Sequence, residues 1–183
     1  MANPAQNPPA LRTAFDGAVW FLDRARADDI HLPPQKLQRL LFIAQAAYAG
    51  RANGALLMPA LFVADELGPV EPNLMRLLSE GRPDDLPSEP ANRETAEFLE
   101  EIWRRFAQMS ADRLNNMIVK APAYAAALAA GRGALVAPAD FAPLFAPAPA
   151  KLAEDVRVLR SQNGAAVAVR AWMPGRPKVE QDR

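Results

Sequence analysis

The sequence predicts a mainly α-helical chain: a compact multi-helix single domain with at most a small β element and flexible N- and C-terminal tails. Three observations carry this. Apolar residues recur every three or four positions through most of the chain, prolines and glycines fall where helices start and stop, and the helical pattern changes only beyond Gly164. With 183 residues, half of them apolar, the chain has enough material for one well-buried core and too little for two large ones.

The elements follow in order. Residues 1–10 carry no periodic signal and read as a disordered N-terminal segment. Phe15, Val19, Leu22 and Arg26 then recur at helical intervals, predicting a first helix near Leu11 to Arg26. Pro33-Pro34 opens a second helix that runs to about Ala49, before Gly50 and Gly54. Its Leu37, Leu40, Leu41, Ala44 and Tyr48 form one buried stripe. Leu56 to Ala64 is apolar but too short to assign, fitting an extended segment or a brief helix. Leu67-Gly68-Pro69-Val70-Glu71-Pro72 is a stop-and-turn signal in which Pro72 can open a new helix without losing a hydrogen bond. That third helix spans Glu71 to Leu78, ended by Gly81 and Pro83.

After a loop at Pro87 to Pro90 comes the clearest amphipathic segment, Asn92 to Met109. Phe98, Leu99, Ile102, Trp103 and Phe106 share one face, and Glu100, Glu101, Arg104 and Arg105 the other. Glu100 with Arg104 and Glu101 with Arg105 are favourable charge pairs four residues apart. Ser110 is placed as the N-cap of a helix to about Lys120, and Pro122 starts another through Ala129, closed by Gly131 and Gly133. Pro138 to Phe145 can add one or two turns, and residues 146–150 read as a semi-rigid connector. Lys151 to Arg160 is helix-capable, with Leu152, Val156 and Leu159 on one side; Ala165 to Met173 fits a strand or a segment that orders on a partner. The expected organisation is a segment 1–10, a helical domain 11–146, and a C-terminal helix with a partner-binding or flexible tail, 147–183.

Composition removes several classes of function. Lys plus Arg equals Asp plus Glu, 21 against 21, so no global field favours nucleic acid or an anionic membrane. The absence of cysteine excludes disulfides, thiolate metal sites and a cysteine nucleophile, and suits a reducing cytoplasm. No signal peptide is evident, and no run approaches the roughly 18 apolar residues of a membrane span. His31 is the single histidine, so His-His metal sites are impossible and His-dependent triads improbable. The acidic pairs Asp28-Asp29, Asp65-Glu66 and Asp84-Asp85 read as solvated charge, because paired-acid chemistry needs carboxylates opposed across a cleft at about 5 to 9.5 Å. Gly131-Arg132-Gly133 reads as a helix stop. No catalytic residue, metal or cofactor is expected.

The signature helix Lys36-Leu-Gln-Arg-Leu-Leu-Phe-Ile-Ala-Gln45 and the turn Leu67-Gly-Pro-Val-Glu-Pro72 together resemble the Panacea domain, a family similar to SocA-type antitoxins and to phage-associated proteins. Arg39 stands for a second Lys of the family pattern and Phe42 for a Tyr. The resemblance extends to Ser110 through Tyr124 and covers roughly residues 12 to 146. It implies an antitoxin that binds and neutralises a cognate toxin encoded nearby, and one branch of the family resembles proteolytic adaptors that present the toxin to a Clp-type AAA+ protease (ClpXP). Simple masking without proteolysis, or a DNA-binding autoregulator using Arg104, Arg105 and Arg113, are the alternatives. Candidate partner-binding or scaffold residues are Lys36, Arg39, Tyr48, Gly68, Pro69 and Val70, with Lys36 and Arg39 expected on or near the exposed side of their helix. Trp172, outside the predicted helices and beside a basic tail, is the candidate interface anchor.

Overall fold

A computed structural model describes residues 8–79, 81–83 and 86–145, together with the strands 156–160 and 166–170. Contacts divide the chain into two units, Met1–Ala146 and Pro147–Arg183. The first is mainly helical. In chain order it holds α1 (Ala14–Ala27), α2 (Pro34–Arg51), β1 (Phe62–Val63), α3 (Pro72–Leu77), α4 (Arg93–Phe106), α5 (Ala111–Val119), α6 (Pro122–Ala130), β2 (Leu135–Val136), a 3-10 turn (Pro138–Phe141) and α7 (Ala142–Phe145).

Local chemistry sets most of these boundaries. Thr13 caps α1 in a reciprocal box with Asp16: the Asp16 amide donates to the Thr13 hydroxyl at 3.1 Å, and the Thr13 amide donates to Asp16 at 2.9 Å. Proline opens α2, α3 and α6, where its missing N–H removes no helical bond. Asn92 and Ser110 cap α4 and α5 through side chains that accept from the amides of Thr95 and Arg113. The Leu56 to Ala64 stretch forms no helix: it bends at residues 57–59 and then enters β1, which pairs antiparallel with β2 in the register Phe62 to Val136. Ala10 and Leu11 donate to the carbonyls of Leu56 and Leu57, so Ala10, the last residue of the expected N-terminal segment, is bonded to the helical unit. Residues 1–7 lie outside the described residues.

α2 is the axis of the unit. α1, α4, α5, α7 and the 3-10 turn all pack on it, and every residue from Lys36 to Ala47 is buried. A helix enclosed on all sides is apolar nearly all round, and the run from Leu40 to Ala44 meets that condition. Phe42 sits edge-on to Phe62 and to Phe141, at 5.2 and 5.0 Å between ring centroids, which ties the β ribbon and the 3-10 turn to the axis. Trp103 of α4 is buried against Phe21 of α1, and its indole N–H donates to Asp28 at 2.7 Å. Of the two charge pairs expected on α4, Glu100–Arg104 forms at 3.7 Å. Glu101 instead reaches Arg51 at 3.3 Å, and Arg105 donates to the Phe145 carbonyl at 2.9 Å while lying over the Phe106 ring.

The second unit corrects one expectation. Val156–Arg160 is a β-strand, not the end of a helix, and pairs antiparallel with Ala166–Arg170 in the register Val156 to Arg170 through Arg160 to Ala166. The physical reason is the partner: a second valine-rich segment a few residues downstream meets the backbone hydrogen bonds across a ladder, and β-branched residues favour that state over a short isolated helix. The Ala165 to Met173 segment contributes that second strand. Leu152 and Trp172 lie outside the described residues.

Candidate functional site

α2 buries four polar side chains, and each is committed to the backbone of a neighbouring segment. Lys36 donates from Nζ to the Ala107 carbonyl at 2.5 Å, at the carbonyl-rich C-terminal end of α4. Gln38 makes a reciprocal pair with Glu71: the Glu71 amide donates to its Oε1 at 2.8 Å and its Nε2 donates to the Glu71 carbonyl at 3.4 Å. Gln45 accepts from the Met58 amide at 3.0 Å. Arg39 donates from Nε to Asn115 Oδ1 at 3.0 Å, from one terminal nitrogen to the Pro69 carbonyl at 2.7 Å, and from the other to the Leu67 carbonyl. Its planar fork thus grips the turn and α5 together, a geometry that suits guanidinium and not ammonium.

This overturns the expectation that Lys36 and Arg39 lie on or near an exposed side. They are 8% and 3% exposed, because α2 has neighbours all round and those neighbours present unpaired carbonyls to it. Burial lowers the pKa of Lys36. Burial likewise pulls Arg39 down, with Tyr124 and Asp65 working in the other direction.

The turn that Arg39 grips is built around Gly68. Its φ of +109° is in the region that favours glycine, and a Cβ there would come within 1.9 Å of Asn115 Oδ1 and 2.6 Å of Arg39 Nε. Val63 and Val70 exchange backbone hydrogen bonds at 2.9 and 3.0 Å, adding a bridge to the β1–β2 ribbon. Asp65 closes the turn: its carboxylate accepts from the Leu67 amide at 3.1 Å and from Arg132 at 2.8 Å. The Leu67 amide first, then Arg132, hold that carboxyl below its ordinary range. The buried Tyr124 of α6 donates its hydroxyl to the Asp65 carbonyl at 2.7 Å, and burial pushes its phenol upward.

An open groove of about 650 Å³ lies over this assembly. Arg39, Val63, Leu67, Val70, Met75 and Arg76 are among its lining, with Asp65 and Arg132 also contributing. A second groove, about 450 Å³ and lined by Leu22, Leu32, Leu37, Leu74 and Leu78, shares Gln35, Gln38, Met75 and Ser79 with the first. The α3 residue Met75 thus helps to line two adjoining recesses.

The structure brings Arg39, Gly68, Pro69 and Val70 into one cluster. Lys36, one turn earlier, serves α4 instead, and Tyr48 stands half-buried and edge-on to Phe98 at 5.2 Å between centroids, some nine residues along the helix. His31 is an exposed residue between α1 and α2. Asn115, Met75, Arg76 and Arg132 belong to the site although sequence reasoning did not single them out. Asn115 lies inside the resembling stretch from Ser110 to Tyr124, and Arg132 inside the Gly131–Gly133 helix stop; neither reading pointed to a site.

Fold and site together define a mainly helical unit whose buried central helix holds a Gly-Pro turn beneath an open groove. No protein-family model, curated protein or solved structure matches the chain. Among the described residues no helix is long and apolar enough to cross a membrane.

Proposed function

We propose that this chain is an antitoxin that neutralises a cognate, nearby-encoded toxin by binding it directly. The reading rests on the resemblance of the Lys36–Gln45 helix and the Leu67–Pro72 turn to the Panacea domain. The observation that carries it furthest is the convergence of these two separated motifs through Arg39, whose guanidinium bonds the Leu67 and Pro69 carbonyls. A signature that acts as one unit in space fits a shared architecture better than two coincidental matches. Neutralisation by binding needs a stable surface and no reacting group, and the clamped turn supplies a preformed one.

The DNA-binding alternative draws less support. Arg104 is paired with Glu100, and Arg105 is bonded to the Phe145 carbonyl, so these arginines are engaged within the chain. Co-expression with the product of the adjacent gene tests the proposal. Growth is expected to be arrested by the neighbour alone and restored by this chain. A harmless neighbour, or arrest that this chain does not relieve, would overturn it. Following the neighbour's level with and without a Clp-type protease separates the two modes: a fall that needs both proteins marks delivery, and a constant level in a stable complex marks masking.

A further inference from the structure

The groove between the clamped turn and α3 carries two properties that the fold itself does not use. Leu67 and Met75, both in its lining, are 63% and 51% exposed, although side chains of this size gain most from burial. Among the described residues its charged lining is also unbalanced: Arg39, Arg76 and Arg132 stand against the single carboxylate of Asp65, an excess of two positive charges on a chain whose net charge is zero. Arg39 is held only by neutral oxygens, those of Leu67, Pro69 and Asn115, so its charge has no carboxylate bonded to it. Arg76 forms no ion pair among the described residues. Arg132 reaches Asp65 through Nε.

We infer that this groove seats an acidic peptide segment of a protein partner, its carboxylates toward Arg76 and Arg132 and an apolar side chain between Leu67 and Met75. This deepens the antitoxin reading and rests on it for the identity of the partner. Charge complementarity selects the acid, and the apolar lining selects a peptide over a nucleic acid, whose phosphates need a longer row of cations and offer no aliphatic anchor. The turn beneath is fixed by Arg39 and Gly68, so little ordering accompanies binding. The adjoining apolar recess shares Met75 and gives a longer segment room to continue past α3.

The test begins with a random 12-residue peptide library displayed on phage and selected against the full chain. Enriched peptides are expected to combine Asp or Glu with Leu, Ile or Phe. A synthetic copy of the best binder should lose about tenfold or more in affinity for Arg76→Glu/Arg132→Glu and, independently, for Met75→Asp. All three positions are exposed, so the melting temperature should stay close to the parent for Met75→Asp. For Arg76→Glu/Arg132→Glu it should fall only by the small contribution of the exposed Arg132–Asp65 pair, which marks the affinity losses as binding effects. Absence of enrichment, enriched peptides without acids, or unchanged affinity for the folded variants would overturn the inference. The co-expression assay keeps the two proposals apart. If the parent chain restores growth and Arg76→Glu/Arg132→Glu restores it equally well, the antitoxin reading stands and the groove is not the contact. If the parent chain gives no protection, the antitoxin reading falls, and the groove is judged by the peptide result alone.

Discussion

α4 and α2 are both buried against the same core, yet their polar residues behave in opposite ways. On α4 the stripe of Phe98, Leu99, Ile102, Trp103 and Phe106 faces inward, and Arg104 and Arg105 are exposed. On α2 the polar residues Lys36, Gln38, Arg39 and Gln45 are buried like the leucines beside them, and each bonds the backbone of a neighbouring segment. An exposed polar residue on a one-faced helix, such as Arg104 with its one 3.7 Å ion pair, is readily exchanged. On an enclosed helix it is a fixed connection, and its loss leaves donors or acceptors unsatisfied.

The largest effect that sharpens this comparison belongs to Gly68→Ala. The new methyl group meets a φ of +109° and displaces the Arg39–Asn115 contact, so destabilisation of about 2 to 4 kcal/mol is expected from urea midpoints. Arg39→Met should follow at about 2 to 3 kcal/mol, because two carbonyls and an amide oxygen lose their donor. The same change at Arg104, whose side chain is 71% exposed, should stay within about 0.5 kcal/mol. Equal costs for the two arginines would dissolve the distinction between the helices.

Gln38→Leu comes next, at about 1 to 3 kcal/mol, since it fits the apolar surroundings but orphans the Glu71 amide; the Glu71 carbonyl keeps its bond from the Met75 amide. Smaller again is a pH effect at the end of α1. The Trp103 indole N–H first, and Arg24 second, hold the Asp28 carboxyl below its ordinary 3.8. A depressed folded pKa means that the unfolded chain binds more protons near pH 4. The contribution is therefore complete above that value and lost as pH falls through the folded one. Acid titration of Asp28→Asn, followed by tryptophan fluorescence, should show a shallower loss of stability on that limb than the parent. An identical limb would remove Asp28 from the acid response.

What the sequence disclosed divides along the same line. α4 was legible to within a few residues because its polar face meets water, the case that a 3.6-residue pattern describes. Gly68-Pro69 was legible as a turn because few other residues adopt that backbone. The burial of Arg39 was not legible: a polar residue beside an apolar stripe reads as solvated, and its acceptors lie 28, 30 and 76 residues away along the chain. Arg132 registered only as part of a helix stop, since its approach to Asp65 depends on how α6 returns to the ribbon. The strand Val156–Arg160 was hidden for a related reason, because a short segment becomes a strand only when its partner pairs with it.

The most direct measurement is a double-mutant cycle between Arg39 and Asn115, with Arg39→Ala, Asn115→Ala and the pair unfolded in urea. If Arg39 serves the fold by joining the turn to α5, the two changes are non-additive, with a coupling of about 0.5 to 3 kcal/mol, and Arg39→Ala alone is clearly destabilising. Additive changes, with Arg39→Ala costing less than about 0.5 kcal/mol, would contradict the architectural role of the signature helix and return Arg39 to the list of surface residues.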